Sequence, residues 1–247
     1  MNVRREGDSF SAEQDGAVVG SARPTPEGGV VLDLKEPREG IALALLRAVA
    51  AARSEKVDAG EAPTSFGSVH LQTDDQAAVV QAVTKLVPRV FRSRTTIVSQ
   101  PRNGWIAVYD EVADREPHQL KRLGQELSNA SGLVTFTIGV EEGKAVHYIA
   151  LERGRILDEY LSVPDFRGPL PSGDAIALRA NPTVVARLTG ANAASVRAVA
   201  RTAASPDDLP PPEELLRELS EVLGLEGTRI RFEEARFVPD AAIVDHE

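Results

Sequence analysis

Between Leu133 and Val163 the chain reads LVTFTIGV-EEGK-AVHYIALE-RGR-ILDEYLSV, three apolar, β-branched and aromatic runs split by two short polar turns. That is the sequence form of a three-stranded antiparallel meander. Val134, Phe136, Ile138 and Val140 alternate with Leu133, Thr135, Thr137 and Gly139, which places the larger set on one face and predicts that this face is buried. Glu141-Glu142-Gly143-Lys144 and Arg153-Gly154-Arg155 each supply a glycine for a positive φ in a wet turn. A sheet of this kind needs more strands and a helical cover, so the rest of the chain is read for what completes it.

The segment before the meander does so. Ser68–Thr73 reads as a strand, and Asp74-Asp75 can cap a helix that turns Val79, Val83 and Leu86 inward. Thr95–Ser99 and Trp105–Tyr109 read as strands joined through Asn103-Gly104. Pro117 opens a second helix with Leu120, Leu123 and Leu127 as its apolar stripe, ending near Gly132. The order is β-α-β-β-α-β, which predicts a ferredoxin-like (split βαβ) core within an α+β fold, extended by two more antiparallel strands, with helices on one face.

On either side the pattern changes. Asp15-Gly16 and Pro26-Glu27-Gly28-Gly29 punctuate short strands over residues 8–37, and a helix is expected over Ile41–Ser54, giving a small β-β-β-α unit. Asp58–Thr64, DAGEAPT, marks a boundary. Residues 164–174 are expected as a rigid proline-rich loop. Beyond it lie a helical stretch over Thr183–Ala203, a linker over Ser205–Pro212, an amphipathic helix over Glu213–Leu223 and a strand over Thr228–Phe232. Three regions result: 1–62, a ferredoxin-like core over 63–174, and a helical, acid-tailed region over 175–247.

Composition removes several chemistries. The 247 residues contain no cysteine, which excludes disulfides, thiolate metal sites and cysteine nucleophiles. A net charge of -9 disfavours nucleic acid as the main partner. The opening MNVRREGDSF lacks the apolar run of a secretory signal, and Ile41–Ala52 is too short to span a bilayer, so a cytoplasmic protein with no membrane contact is expected. The four histidines, His70, His118, His147 and His246, have no metal-binding spacing, and His147 reads as a face residue of its strand. No nucleophile elbow, P-loop or dinucleotide fingerprint occurs, so no catalytic residue, cofactor or metal is expected. Acids gather at strand ends. Asp110, Asp158 and Glu159 would form a carboxylate pair or magnesium site only if the sheet brought them together.

Three resemblances add to this. Residues 184–201, with Ala186, Gly190 and Val196 at the packing and turn positions, resemble the helix-turn-helix of bacterial repressors. Arg179, Arg187, Arg197 and Arg201 fall in a stretch, 175–205, that has no acid. The resemblance implies phosphate contacts by Asn192, Arg197 and Arg201, while Ala193, Ala194 and Ala198, at the base-reading positions, carry no donor or acceptor. The N-terminal GAVVGSARP, GGVVLDL and PREGIALALLRAV resemble the middle of a GNAT-type acyltransferase, which implies that the turn of Arg38, Gly40 and Ala42 would hold the pyrophosphate of acyl-CoA. The segment ILDEYLSVPD is similar to segments of uncharacterised bacterial α+β proteins. The expected function is a non-catalytic interaction or regulatory module with a protein partner and open to self-association. The alternatives are a DNA-associated regulator and a degenerate acyltransferase. The ten acids and four arginines between Asp207 and Asp240 predict that the acidic helix folds over the preceding arginines.

Overall fold

The computed structural model describes residues 2–6, 9–14, 17–24, 30–35, 41–42, 45 and 65–246. The chain forms two compact units, Met1–Ala62 and Pro63–Glu247. The expected boundary at Asp58–Thr64, most of the helix over Ile41–Ser54, and Arg38 and Gly40 lie outside the described residues.

In the first unit β1 (Asn2–Glu6), β2 (Ser9–Gln14), β3 (Ala17–Pro24) and β4 (Val30–Leu34) form an antiparallel meander in chain order. Phe10, Ala12 and Ala22 bury against Ile41 and Leu45. The fourth strand, β1, was not expected. Its sequence NVRRE carries three charges in five residues, as an edge strand can, and Arg4 reaches Glu13 across the pair at 3.6 Å.

The second unit is built on a seven-stranded sheet. Its strands are β5 (Phe66–Gln72), β6 (Thr95–Val98), β7 (Trp105–Asp110), β8 (Val134–Glu141), β9 (Ala145–Glu152), β10 (Arg155–Leu161) and β11 (Ala242–Asp245). They stand in the order β10-β9-β8-β5-β7-β6-β11, with every neighbouring pair antiparallel. Helix α1 (Gln76–Val90) joins β5 to β6, and α2 (Pro117–Ser131) joins β7 to β8.

Local chemistry sets these ends. Asp75 caps α1 by accepting the amide of Ala78 at 2.9 Å. Pro117 opens α2, and Gly132 closes it in the left-handed conformation. The β9–β10 hairpin has a two-residue turn, Arg153–Gly154, with φ of 50° and 72°, which matches the twist of the flanking strands.

The meander's register agrees with its alternation, but the cover is different from the one expected. Helices pack on both faces. On the first face Val69, Leu71, Ile106 and Val108 meet Val79, Val83, Leu120, Leu123 and Leu127 of α1 and α2. On the second, Phe66, Phe136, Ile138, Tyr148 and Tyr160 lie under residues of α4 (Pro182–Thr189), α5 (Ala193–Val199) and α6 (Pro212–Leu223), among them Val185, Val196, Leu215 and Leu219. The small set Thr135, Thr137 and Gly139 is buried as well, because α2 approaches it closely: a Cβ on Gly124 would lie 2.2 Å from Thr137 Cγ2. A face of threonine and glycine reads as solvent-facing in sequence, and here it accommodates a helix.

Further differences concern the C-terminal part. Residues 164–174 hold a 3-10 turn, Pro164–Arg167, and the start of a short helix, α3 (Ser172–Ala177). The helical stretch over Thr183–Ala203 is two helices, α4 and α5, split at Gly190 (φ 78°). No strand forms over Thr228–Phe232. A tight turn there leads into α7 (Phe232–Ala235), which packs Phe232 and Ala235 on Ile97, Ala107 and Tyr109. The strand in this region is β11, which extends the sheet beside β6.

Candidate functional site

The β8–β9 hairpin places Gly139 opposite His147 and Glu141 opposite Ala145, so Glu141 and His147 are diagonal neighbours on the face that carries α2. Their side chains meet at 2.7 Å, His147 Nδ1 to Glu141 Oε1. The 3-10 turn after β10 brings Arg167 to the same carboxylate: its guanidinium lies 2.9 Å from Glu141 Oε2 and 3.4 Å from Glu142 Oε1. The guanidinium also lies over the Phe166 ring, its carbon 5.0 Å from the ring centroid. Beside this cluster Lys121 of α2 pairs with Glu159 of β10 at 3.0 Å.

These groups line a cavity of about 500 Å³ between the start of α2, the β8–β10 edge and the segment Pro164–Leu170, with Ile149, Phe166 and Leu178 as part of its apolar wall. Burial pushes the Glu141 carboxyl up, but the hydrogen bond and charge of His147, then Arg167 and Lys121, outweigh it and hold the group below the usual glutamate range. An ionised Glu141 only accepts, so Nδ1 of His147 carries the proton it donates. The other ring nitrogen, Nε2, is buried and has no hydrogen-bond partner among the described residues, on a residue 7% exposed that lines the cavity. A buried polar nitrogen left without a partner is uncommon and marks this ring as the group in the cluster whose hydrogen bonding is incomplete.

The acids named from the sequence separate. Asp110 accepts from Ser93 Oγ, from Thr96 Oγ1 at 2.7 Å and from the amides of Val112 and Ala113, and so fixes the turn after β7. Asp158 accepts Tyr148 Oη at 2.7 Å and the Asn181 amide at 3.1 Å, anchoring the start of α4. Its pKa is raised, first by burial, against the pull of Tyr148 and Asn181. Three strands stand between β7 and β10, roughly 19 Å at the usual strand spacing, so Asp110 and Asp158 do not form a carboxylate pair. Of the three, Glu159 alone borders the cavity. Among the described residues no group of three or more His, Asp or Glu side chains could hold a metal ion.

The helix-turn-helix-like segment forms a helix pair across Gly190, with Val185, Leu188 and Val196 buried against the sheet and α6. Asn192 is the cap of α5, accepting the amides of Ala194 at 2.8 Å and Ser195 at 3.3 Å. Arg197 is exposed, and Arg201 is held by Glu218 of α6 at 2.9 Å. Ala42 is half-buried in the first unit, and its partners in the acyltransferase resemblance, Arg38 and Gly40, lie outside the described residues. His70 is a core residue bonded to Ser68 at 2.9 Å, and burial lowers its pKa to about 3.

Sequence reading missed the Glu141–His147–Arg167 cluster. The signal was present in the hairpin: pairing the strands across the Glu142–Lys144 loop puts residues 141 and 147 diagonally on one face. The contribution of Arg167 has no such trace, because it depends on how the chain turns after β10. Compared with known proteins, the chain matches no protein-family model, no curated protein and no solved structure.

Proposed function

We propose that this chain is a non-catalytic regulatory module that senses a small polar ligand in the cavity beside His147, on a ferredoxin-like core. The core is supported by the β-α-β-β-α-β order of β5 to β8 and by their placement β8-β5-β7-β6. The single observation that carries the functional reading is His147, whose ring lines a cavity large enough for a metabolite, with Nδ1 fixed by Glu141 and Nε2 buried without a partner among the described residues. Ligand binding there would act on β8, β9, β10, α2 and the Pro164–Leu170 segment together, since each supplies part of the wall.

The experiment is native mass spectrometry of the full chain after incubation with the low-molecular-weight fraction of a lysate from its own source, beside His147→Ala. A bound small molecule on the wild type that is lost in the variant is expected. Absence of any adduct on the wild type contradicts the reading.

A second reading, a DNA-associated regulator, is favoured by the α4–Gly190–α5 pair with Arg187 and Arg197 exposed and by the Glu218 contact that occupies Arg201. Under it Glu218→Gln frees Arg201 and strengthens DNA binding, with a steeper salt dependence. Binding that is equally weak in both proteins contradicts it. Among the described residues no helix is long and apolar enough to cross a membrane.

A further inference from the structure

We infer that the groove between α1 and α2 is a self-association surface that takes a second copy of this chain, with α1 packed antiparallel on α1 of that copy. The groove has a volume of about 670 Å³ and lies along one flank of α1, against the last turns of α2. Its apolar lining is Ala78, Ala82, Leu86 and Val90 of α1, Ala130 of α2, and Leu133 before β8. Ala78 and Ala130 are exposed and the other four are half-buried. Helix α1 turns Val79, Val83 and Val87 into the core, so this flank is a second apolar stripe that the packing of the sheet does not use. The inference does not depend on ligand sensing at His147.

Charge says what covers it. The lining carries two acids, Asp75 and Glu126, and two bases, Lys85 and Arg89. Among the described residues none of the four is in an ion pair, and Asp75, Lys85 and Arg89 are exposed. Along α1 the acid stands at the start and the bases toward the end. A uniformly charged partner does not match such a surface, whereas the same surface turned end for end does. Asp75, Ala78, Ala82, Leu86 and Arg89 follow one another at steps of three or four residues, on one face of the helix. With Ala82 of the two copies meeting on the twofold axis, Ala78 faces Leu86 and Asp75 faces Arg89, each contact made twice. Ala82 is small enough to let the helix axes approach closely. The two α2 helices then flank the pair, and the two grooves close on each other as the centre of a four-helix arrangement. The 15-residue α1 is roughly 22 Å long, so the interface is modest in area and the expected affinity is micromolar.

Sedimentation equilibrium of the full chain over a concentration series is expected to show a monomer–dimer equilibrium. Arg89→Glu sets like charges against Asp75 at both symmetric contacts. It is expected to weaken the dimer about tenfold or more and to leave the far-UV circular dichroism unchanged. Because the chain has no cysteine, a single introduced thiol reports its own surroundings. Ala82→Cys brings two thiols together at the axis and is expected to give a covalent dimer with a short thiol-specific cross-linker. Thr84→Cys, exposed on α1 and outside the groove, is the reference and is expected to react far more slowly between chains.

A chain that stays monomeric up to about 100 µM overturns the inference. So does a dimer that Arg89→Glu leaves equally tight, or cross-linking at Ala82→Cys no faster than at Thr84→Cys, since either result puts the contact between copies elsewhere.

Discussion

At the residue scale, two buried carboxylates make opposite predictions for pH. Asp114, in the turn after β7, is 3% exposed, and its Oδ1 has no hydrogen-bond partner among the described residues. Burial raises its pKa to about 7, with Glu233 adding to the shift and the amides of Gly67 and Phe232 and the charge of Arg231 opposing it. A folded-state pKa above the unfolded value means that the folded chain holds the proton more tightly. Stability from this group is full below about pH 4, falls as pH rises toward 7, and is flat above. Asp114→Asn, neutral throughout, is expected to be more stable than wild type at pH 8 by on the order of 2 kcal/mol and to lose the slope between pH 4 and 7. Urea unfolding across that range checks it, and equal slopes in the two proteins contradict it.

Glu141 has the reverse sign. Its lowered pKa gives stability that is present above the unfolded glutamate value and lost as acid protonates the folded carboxyl. Glu141→Gln removes the charge behind the His147 ring and the partner of Arg167. It is expected to cost about 1–3 kcal/mol near neutral pH and to remove the part of the acid loss that Glu141 contributes. Denaturant unfolding at neutral pH and through the acid range reads the two effects. Stability and acid dependence equal to those of the wild type would contradict the role given to the Glu141 carboxylate.

At the scale of elements, the packing of α2 on the sheet is the most demanding contact. Exchanging a helical glycine for alanine ordinarily gains about 1 kcal/mol. At Gly124 the new Cβ would meet Thr137 Cγ2 at 2.2 Å and Leu151 Cδ1 at 3.3 Å, so either the buried Thr137 leaves its rotamer or α2 moves away. Gly124→Ala is therefore expected to destabilise by about 1–3 kcal/mol in equilibrium unfolding. A gain in stability would show that Thr137 or the helix gives way at little cost, and would contradict the tight contact.

Elements whose signals are local were legible in sequence: the Asp75 cap, the Pro117 start, the Gly132 stop and the two hairpin turns of the meander all recur in the structure. Those set by distant partners were not. The run AIVD of β11 is four residues long and becomes a strand because β6 offers a free edge, with Gln76 and Gln100 gripping the carbonyl of Asp240 just before it. Thr228–Phe232 has strand-forming residues, yet Phe232 finds its burial at the start of a helix. The candidate site divides the same way. Glu141 and His147 follow from register, whereas Arg167 and Lys121 arrive from elements whose placement only the packed fold defines.

At the scale of the molecule, the second unit is a sheet covered on both faces, and the C-terminal region is part of its core. Leu215, Leu216, Leu219 and Leu223 of α6 are each 1% exposed or less. Deleting residues 206–247 would uncover Phe136, Ile138 and Tyr148 and remove β11. The expected outcome is a chain that aggregates or binds hydrophobic dye, so unmasking of the arginines is tested by Glu218→Gln and not by truncation.

The proposed ligand sensing at His147 draws on all three scales, and the measurement that addresses it most directly is a pair of melting curves. Wild type and His147→Ala are each heated with and without the low-molecular-weight fraction of a lysate from their own source. A ligand that binds only the folded chain raises its melting temperature, by an amount that grows with the logarithm of its concentration relative to its Kd. A rise in the wild type that is absent in the variant, each compared with its own ligand-free curve, is the expected result. No rise in either protein, or an equal rise in both, would contradict the assignment of this cavity as the sensing site.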